Sequence, residues 1–243
     1  MQTASDLIHP MRFNEFRKMA LVSMEEICHE IFQENQASIK TKKESVAIRN
    51  LANIFDTTLK LSNEKGFQTM SLRDLSQASG LSMGALYSYF TSKEELLEMI
   101  QNQGRRLTRR VLRQQIAQVT PADQKLRTAI RTHLYLTEVM HPWFYFSFME
   151  TKNLHKAQQK KSIEGELASE QIFVEILKEG LKKKAFQLEQ PILTASVIKA
   201  MMQDWYVKRW KHSRRGITVD EYADFVIFVV ESIVLPSDAG KAL

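Results

Sequence analysis

Apolar residues recur at steps of three and four along most of the chain, and no alternating runs bounded by turn clusters suggest strands. Residues 12–36 place Phe13, Phe16, Ala20, Met24, Ile27 and Ile31 on one stripe, the pattern of an amphipathic helix. The polar stretch from Gln36 to Glu44, with Lys40, Lys42 and Lys43, reads as a linker. A second helix follows, with Ile48, Leu51, Ala52, Phe55 and Leu59 on one face and Gly66 closing it in a left-handed cap. Three shorter pieces come next. Ser71 is placed to cap the first, with Asp74 three residues on to return the bond, and Gly80 ends it. Ser82 caps a second piece through Met83 to Tyr89, and Thr91 or Ser92 caps a third that starts at Lys93-Glu94-Glu95. From Arg105 onward the periodicity predicts longer helices, broken at Pro121, Pro142, the Lys184 to Pro191 region and Gly216. The fold class expected is all-α.

Two late segments, Glu166 to Lys184 and Val219 to Leu235, are strongly patterned. The second is apolar nearly all round at Phe225-Val226-Ile227-Phe228-Val229-Val230. One subunit cannot cover such a girth, so the pattern predicts a homodimer joined by a four-helix bundle of these two segments.

Composition narrows the function class. The 243 residues, 44% hydrophobic, suffice for one large domain or two smaller ones. No apolar run approaches the roughly 18 to 20 residues of a membrane span, and the start lacks a signal-peptide pattern, so a cytoplasmic protein with no membrane partner is expected. Cys28 is the only cysteine, which rules out an intrachain disulfide and a cysteine-based zinc site. The net charge of +6 suggests nucleic acid, but its distribution does not. Residues 1–100 carry 11 basic against 13 acidic side chains, and residues 101–243 carry 23 against 15. A DNA-binding role must rest on residue placement.

That placement lies between Ser71 and Phe90. Leu72, Leu75 and Ala78 can form the inward face of one short helix, Gly80 permits a tight turn, and Leu81 with Leu86 anchors a second helix across it. This is helix-turn-helix spacing. The second helix has only small or amphipathic residues outside, so its N-terminal end could enter a major groove about 12 Å wide.

The string Gly80-Leu81-Ser82, Leu86-Tyr87-Ser88-Tyr89-Phe90 and Ser92-Lys93-Glu94-Glu95-Leu96, preceded by Gly66-Phe67, resembles the DNA-binding domain of the TetR family. The resemblance implies an N-terminal helix-turn-helix domain followed by a larger helical ligand-binding and dimerisation domain. The expected divisions are residues 45–104 and 105–243, with residues 1–44 an extension bearing an extra helix. It further implies that Tyr87, Tyr89 and Lys93 meet operator phosphates, with Thr69 and Ser71 adding to them. Arg73, Ser82, Met83, Gly84 and Ser88 would face bases or sugar, Met83 meeting a thymine methyl if anything. Without the resemblance, Tyr87 and Phe90 could be core aromatics, the preferred reading for Phe90, and Ser71 and Ser82 could be caps alone. The extension departs from the family, and packing on the effector domain is its expected role, ahead of extending the dimer interface or touching DNA through Arg12, Arg17 and Lys18.

In the second domain, Trp143, Phe144, Phe146 and Phe148, with Met201, Met202, Trp205 and Tyr206 on a later helix, form the candidate effector pocket. Arg105, Arg106, Arg109, Arg110 and Arg113, and also Lys208, Arg209, Lys211, Arg214 and Arg215, read first as solvated faces and second as sites for an anion. An apolar cavity with basic rims would suit an acyl-CoA or a fatty acid. The segments Asp204 to Trp210 and Asp220 to Tyr222 are more weakly similar to TetR-type regulators of fatty-acid metabolism. No serine elbow, phosphate-cradling glycine loop or metal-spaced histidine set is present, and His133, Glu138 and His141 read as ordinary residues. The expectation is therefore a repressor of operator double-stranded DNA, with no catalytic residues, metal or cofactor. Its rivals are an effector-independent architectural DNA binder and, less so, a helical enzyme.

Overall fold

The computed structural model describes residues 11–34, 39–41 and 43–236, without the side chains of residues 21–25 and 27. Met24, Ile27 and part of the expected linker from Gln36 to Glu44 thus lie outside what is described. Among the described residues there is no strand, and no helix is long and apolar enough to cross a membrane. The helices are α1 (Phe13–Glu34), α2 (Glu44–Lys65), α3 (Leu72–Ser79), α4 (Met83–Leu86), α5 (Lys93–Ala117), α6 (Ala122–Val139), α7 (His141–Glu150), α8 (Lys156–Lys182), α9 (Pro191–Val207), α10 (Arg209–Arg214) and α11 (Val219–Val234).

Local chemistry sets many of the boundaries. Ser71 accepts from the Asp74 amide at 3.1 Å while the Asp74 carboxylate accepts from the Ser71 amide at 2.8 Å, closing a reciprocal cap on α3. Lys65 and Ser71 hold the Asp74 carboxyl well below its ordinary pKa. Gly80 ends α3 with φ 71°, a left-handed position that a side chain would strain. Ser82 caps α4 and Ser92 caps α5, settling the choice between Thr91 and Ser92. Gly66 has φ 83° but ψ 141°, so it closes α2 outside the expected left-handed helical well. Removing the α3 cap with Ser71→Ala should cost about 0.5–2 kcal/mol, measured as a lower melting temperature in thermal denaturation.

Helix α6 forms the centre, buried along Leu126, Ala129, Ile130, Leu134 and Leu136, because α1, α5, α8, α9 and α11 all pack against it. Helix α5 runs unbroken through the expected boundary at residues 104–105. The extension is a strap. Phe13 and Phe16 lie 5.6 and 5.4 Å from the Tyr135 ring on α6, and Arg12 pairs with Asp224 of α11 at 3.0 Å. Further along α1, Glu30 pairs with Arg110 at 2.6 Å and Glu34 with Arg106, both on α5. Arg12 is therefore spent on α11, and two of the arginines considered for an anionic ligand are neutralised by α1.

The late helices differ from expectation. Helix α8 begins ten residues early, and beyond Leu167 its outward positions include Gln171, Glu175 and Lys178, all polar. The exposed apolar side chains instead include Ile192, Leu193 and Val197 on α9 and Phe225, Phe228 and Ile233 on α11. These two helices pack together, and the segment ahead of α9 is tied to the end of α11 by the Gln187 amide donating to the Val234 carbonyl at 2.8 Å. The larger apolar face left open thus belongs to α9 and α11, while α8 exposes Ile163 and Leu167 near its middle and only polar side chains beyond them at Gln171, Glu175 and Lys178.

Candidate DNA-contacting face and effector cavity

Helices α2, α3 and α4 pack around Leu51, Phe55, Leu75 and Leu86. Ala78, expected inside with Leu72 and Leu75, is exposed, because a helix of eight residues buries only a narrow stripe. Thr69, Ser71, Arg73, Ser82 and Gly84 are exposed, and Met83, Ser88 and Lys93 are half-buried. Around Gly84 nothing lies within 4 Å of where a side chain would begin, so the backbone there is open to close approach. Tyr87 is 46% exposed. Ser88 bonds locally, its hydroxyl donating to the Ala85 carbonyl at 2.6 Å.

Tyr89 requires a correction. It is 1% exposed, and its hydroxyl accepts from Asn50 of α2 at 2.9 Å and from Thr41 at 3.1 Å. It fixes the end of α4 against α2 and the segment before it, and cannot offer that hydroxyl to a phosphate. Phe90 is buried, as preferred. The Lys93 ammonium lies 4.6 Å from the Phe67 ring centre and donates to the Gln68 carbonyl at 3.0 Å. Burial there lowers its pKa from the ordinary lysine value.

A cavity of about 300 Å³ opens among α5, α6, α7, α8 and α9. Of the eight aromatic and methionine candidates, Trp143, Phe144, Phe148 and Tyr206 line it. The other four do not. Phe146 points to the DNA-binding domain, 5.9 Å from Phe67. Met202 is core, and Met201 is partly buried against the core and accepts a bond from Tyr222 at its carbonyl. Trp205 stacks on His212 and Tyr222, each with ring centres 5.0 Å away, and donates to Glu138 at 3.0 Å. Arg105 and Arg109 line the cavity, but the second basic run does not: Lys208 and Lys211 pair with Asp204, and Arg209 with Glu138.

The polar side of the cavity was missed. Lys199 is buried, donating to His133 Nε2 at 3.1 Å, to Ser169 Oγ at 2.8 Å and to Glu166 Oε1 at 3.2 Å. An ammonium can only donate, so His133 carries its proton on Nδ1. Burial, reinforced by the Lys199 charge, keeps its pKa well below the ordinary histidine value. Gln101 Oε1 accepts from Arg105 at 3.4 Å and Ser162 at 3.3 Å. Gln101 Nε2, Thr108 Oγ1, His133 Nδ1 and Ser147 Oγ are buried with no hydrogen-bond partner. One signal existed in the sequence: Gln101, Arg105, Thr108 and Leu112 follow at steps of four, three and four, a mostly polar stripe on a helix otherwise packed by Ile100, Leu107 and Val111.

Comparison with known proteins fits this geometry. The model for bacterial regulatory proteins of the tetR family matches residues 54–100, and that for the tetracyclin repressor-like C-terminal domain matches residues 119–230, together more than half of the chain. The chain belongs to the TetR family. Among solved structures, this TetR-family chain is similar to a tetR-family regulatory protein from Rhodococcus at 17% identity, covering 78% of this chain and 98% of that one, with a TM-score of 0.70. It is similar to PfmR from Thermus thermophilus at 26% identity, covering 74% and 97%, with a TM-score of 0.66. It is also similar to AibR, solved with isovaleryl coenzyme A and operator DNA, at 19% identity, covering 76% and 97%, with a TM-score of 0.65. No curated protein matches the chain. The architecture is that of a helix-turn-helix transcription regulator. Among the described residues of this TetR-family chain, no group of histidine, cysteine and carboxylate side chains is arranged to hold a metal.

Proposed function

We propose that the chain is a homodimeric repressor that holds operator DNA through α4 and the start of α5 and releases it when a small effector fills the cavity. The observation that carries this is that one helix serves both ends. Helix α5 starts at Lys93, against the Phe67 to Gln68 turn of the DNA-binding domain, and three turns later presents Arg105 and Thr108 to the cavity. A ligand that prefers another setting of α5 weakens DNA binding by its differential affinity for the two settings. Apolar walls beside cationic groups favour an acyl-CoA or a fatty acid, and AibR, of the same fold, was solved with an acyl-CoA. The dimer reading rests on the open apolar face of α9 and α11.

The test is a titration of acyl-CoAs and free fatty acids into a fluorescent operator complex, with release expected from at least one. No release by any of them eliminates the lipid effector. In the same assay Lys93→Ala and Tyr87→Phe should weaken binding similarly for all operator sequences, because phosphate contacts carry no sequence information. Lys93→Ala should also reduce the salt slope by about one. An unchanged slope argues against the proposed docking. Changes at Arg73 or Met83 should shift operator preference instead.

A further inference from the structure

We infer that the cavity is built for the carboxylate of a free organic acid, and that Glu166 is a resident counter-ion which this carboxylate displaces from Lys199. The inference deepens the reading of the cavity as the effector site and rests on it.

Four residues that line the cavity each carry a buried polar atom without a partner, two of them donors only and two of them hydroxyls that can donate. Arg105 can only donate, so the Gln101 oxygen faces it and the free atom is the amide nitrogen, a donor. The Nδ1–H of His133 is likewise a donor without an acceptor. Thr108 and Ser147 add two hydroxyls without partners. Gln101, Thr108 and His133 are each more than nine-tenths buried. Buried polar groups left unpaired are costly, and two obligate donors with two hydroxyls able to donate suit an acceptor-rich guest. Charge points the same way, since Arg105, Arg109 and Lys199 face the cavity against the single carboxylate of Glu166.

Glu166 differs from the groups around it. Its side chain is 55% exposed, whereas that of Lys199 is 9% exposed. It reaches Lys199 from the solvent side, so it can swing out into water at little desolvation cost while Lys199 cannot leave. Ser169 and His133 hold the ammonium in place for whichever carboxylate takes the remaining proton. Trp143, Phe144, Phe148 and Ile172 also line the cavity and suit an apolar body. A volume of about 300 Å³ equals roughly ten waters of liquid, room for an acid of about eight carbons. A thioester has no carboxylate to offer these donors, which separates a free acid from its coenzyme A derivative.

The test uses calorimetric titration of the full-length protein, without DNA, with octanoate, methyl octanoate and octanoyl-CoA. Octanoate should bind about tenfold or more tightly than the ester, as expected for bonds to a charged group. Glu166→Gln should tighten octanoate binding several-fold by removing the competitor. Lys199→Met should weaken octanoate by about tenfold while leaving the ester unchanged, and Thr108→Val, a smaller change, should weaken it in the same direction. An ester or thioester binding as tightly as the acid overturns the inference. So does a Glu166→Gln variant that binds octanoate no better than the parent, or a folded protein that binds none of the three. Because DNA is absent, failure here is separate from failure of effector-driven operator release, which the operator titration reads.

Discussion

Phe228→Glu is expected to dissociate the dimer and to abolish operator binding without unfolding the protomer. Phe228 is 67% exposed and Phe225 62% exposed on α11, which packs against α9, where Leu193 and Val197 are exposed as well. Exposed aromatic and branched side chains at this density mark an interface. Burying one phenylalanine is worth about 1.5–3 kcal/mol, and two-fold symmetry applies the change twice. The loss is then about 3–6 kcal/mol, or roughly a hundred- to ten-thousand-fold in dissociation constant, before any cost of enclosing charge. Half-sites one turn apart are about 34–36 Å from centre to centre, so a lone protomer engages one of them and loses the gain from linkage. Sedimentation velocity at micromolar concentration should show a monomer, with unchanged helical circular dichroism. A dimer that persists would place the interface elsewhere.

Boundaries set by local chemistry are legible in the sequence. Ser71 with Asp74, Gly80, Ser82 and Ser92 set their boundaries through bonds to residues three positions away or through their own backbone angles, and such features are visible in a short window. A role that depends on a distant partner is not. Tyr89 looks like its neighbour Tyr87 in sequence, and only Thr41 and Asn50, 48 and 39 residues earlier, make one buried and leave the other exposed. Phe146 and Trp205 carry the same apolar signal as Phe144 and Tyr206, yet Phe67 and His212 claim them. The polar lining is spread over separate helices, with Thr108 on α5, His133 on α6 and Lys199 on α9, so no spacing rule joins it. The open apolar face on α9 was not legible because periodicity shows that a helix has an apolar stripe without showing which neighbour covers it. The stripe of α8 faces α6 and α9 within the same chain.

Gly104→Ala should separate the stability of the protein from its response to effector. A methyl group on Gly104 would lie 1.9 Å from Trp143 Cε2, inside the indole that packs on the bare backbone of α5 and donates to the Ile100 carbonyl at 3.2 Å. That indole also lines the cavity. On the other side of the same helix, α7 meets the DNA-binding domain, with Phe146 against Phe67 and the Pro142 carbonyl accepting from Asn63 at 2.8 Å. Trp143 thus sits between the cavity and two of the helices, α5 and α7, that meet the DNA-binding unit, where a bound effector would press on both. Moving it should cost about 1–3 kcal/mol by overpacking, a fall in melting temperature of roughly 2–10 °C for a chain of this size. Gly180→Ala supplies the control, because its methyl would lie 1.9 Å from Phe186, which is not among the cavity residues. Both variants should lose stability by similar amounts and both should still bind operator. Only Gly104→Ala should lose effector-driven release, by about tenfold or more in the concentration needed, with a shifted Trp143 emission. If the two variants release DNA alike, the cavity communicates with the DNA-binding domain by a route other than the contact between Gly104 and Trp143.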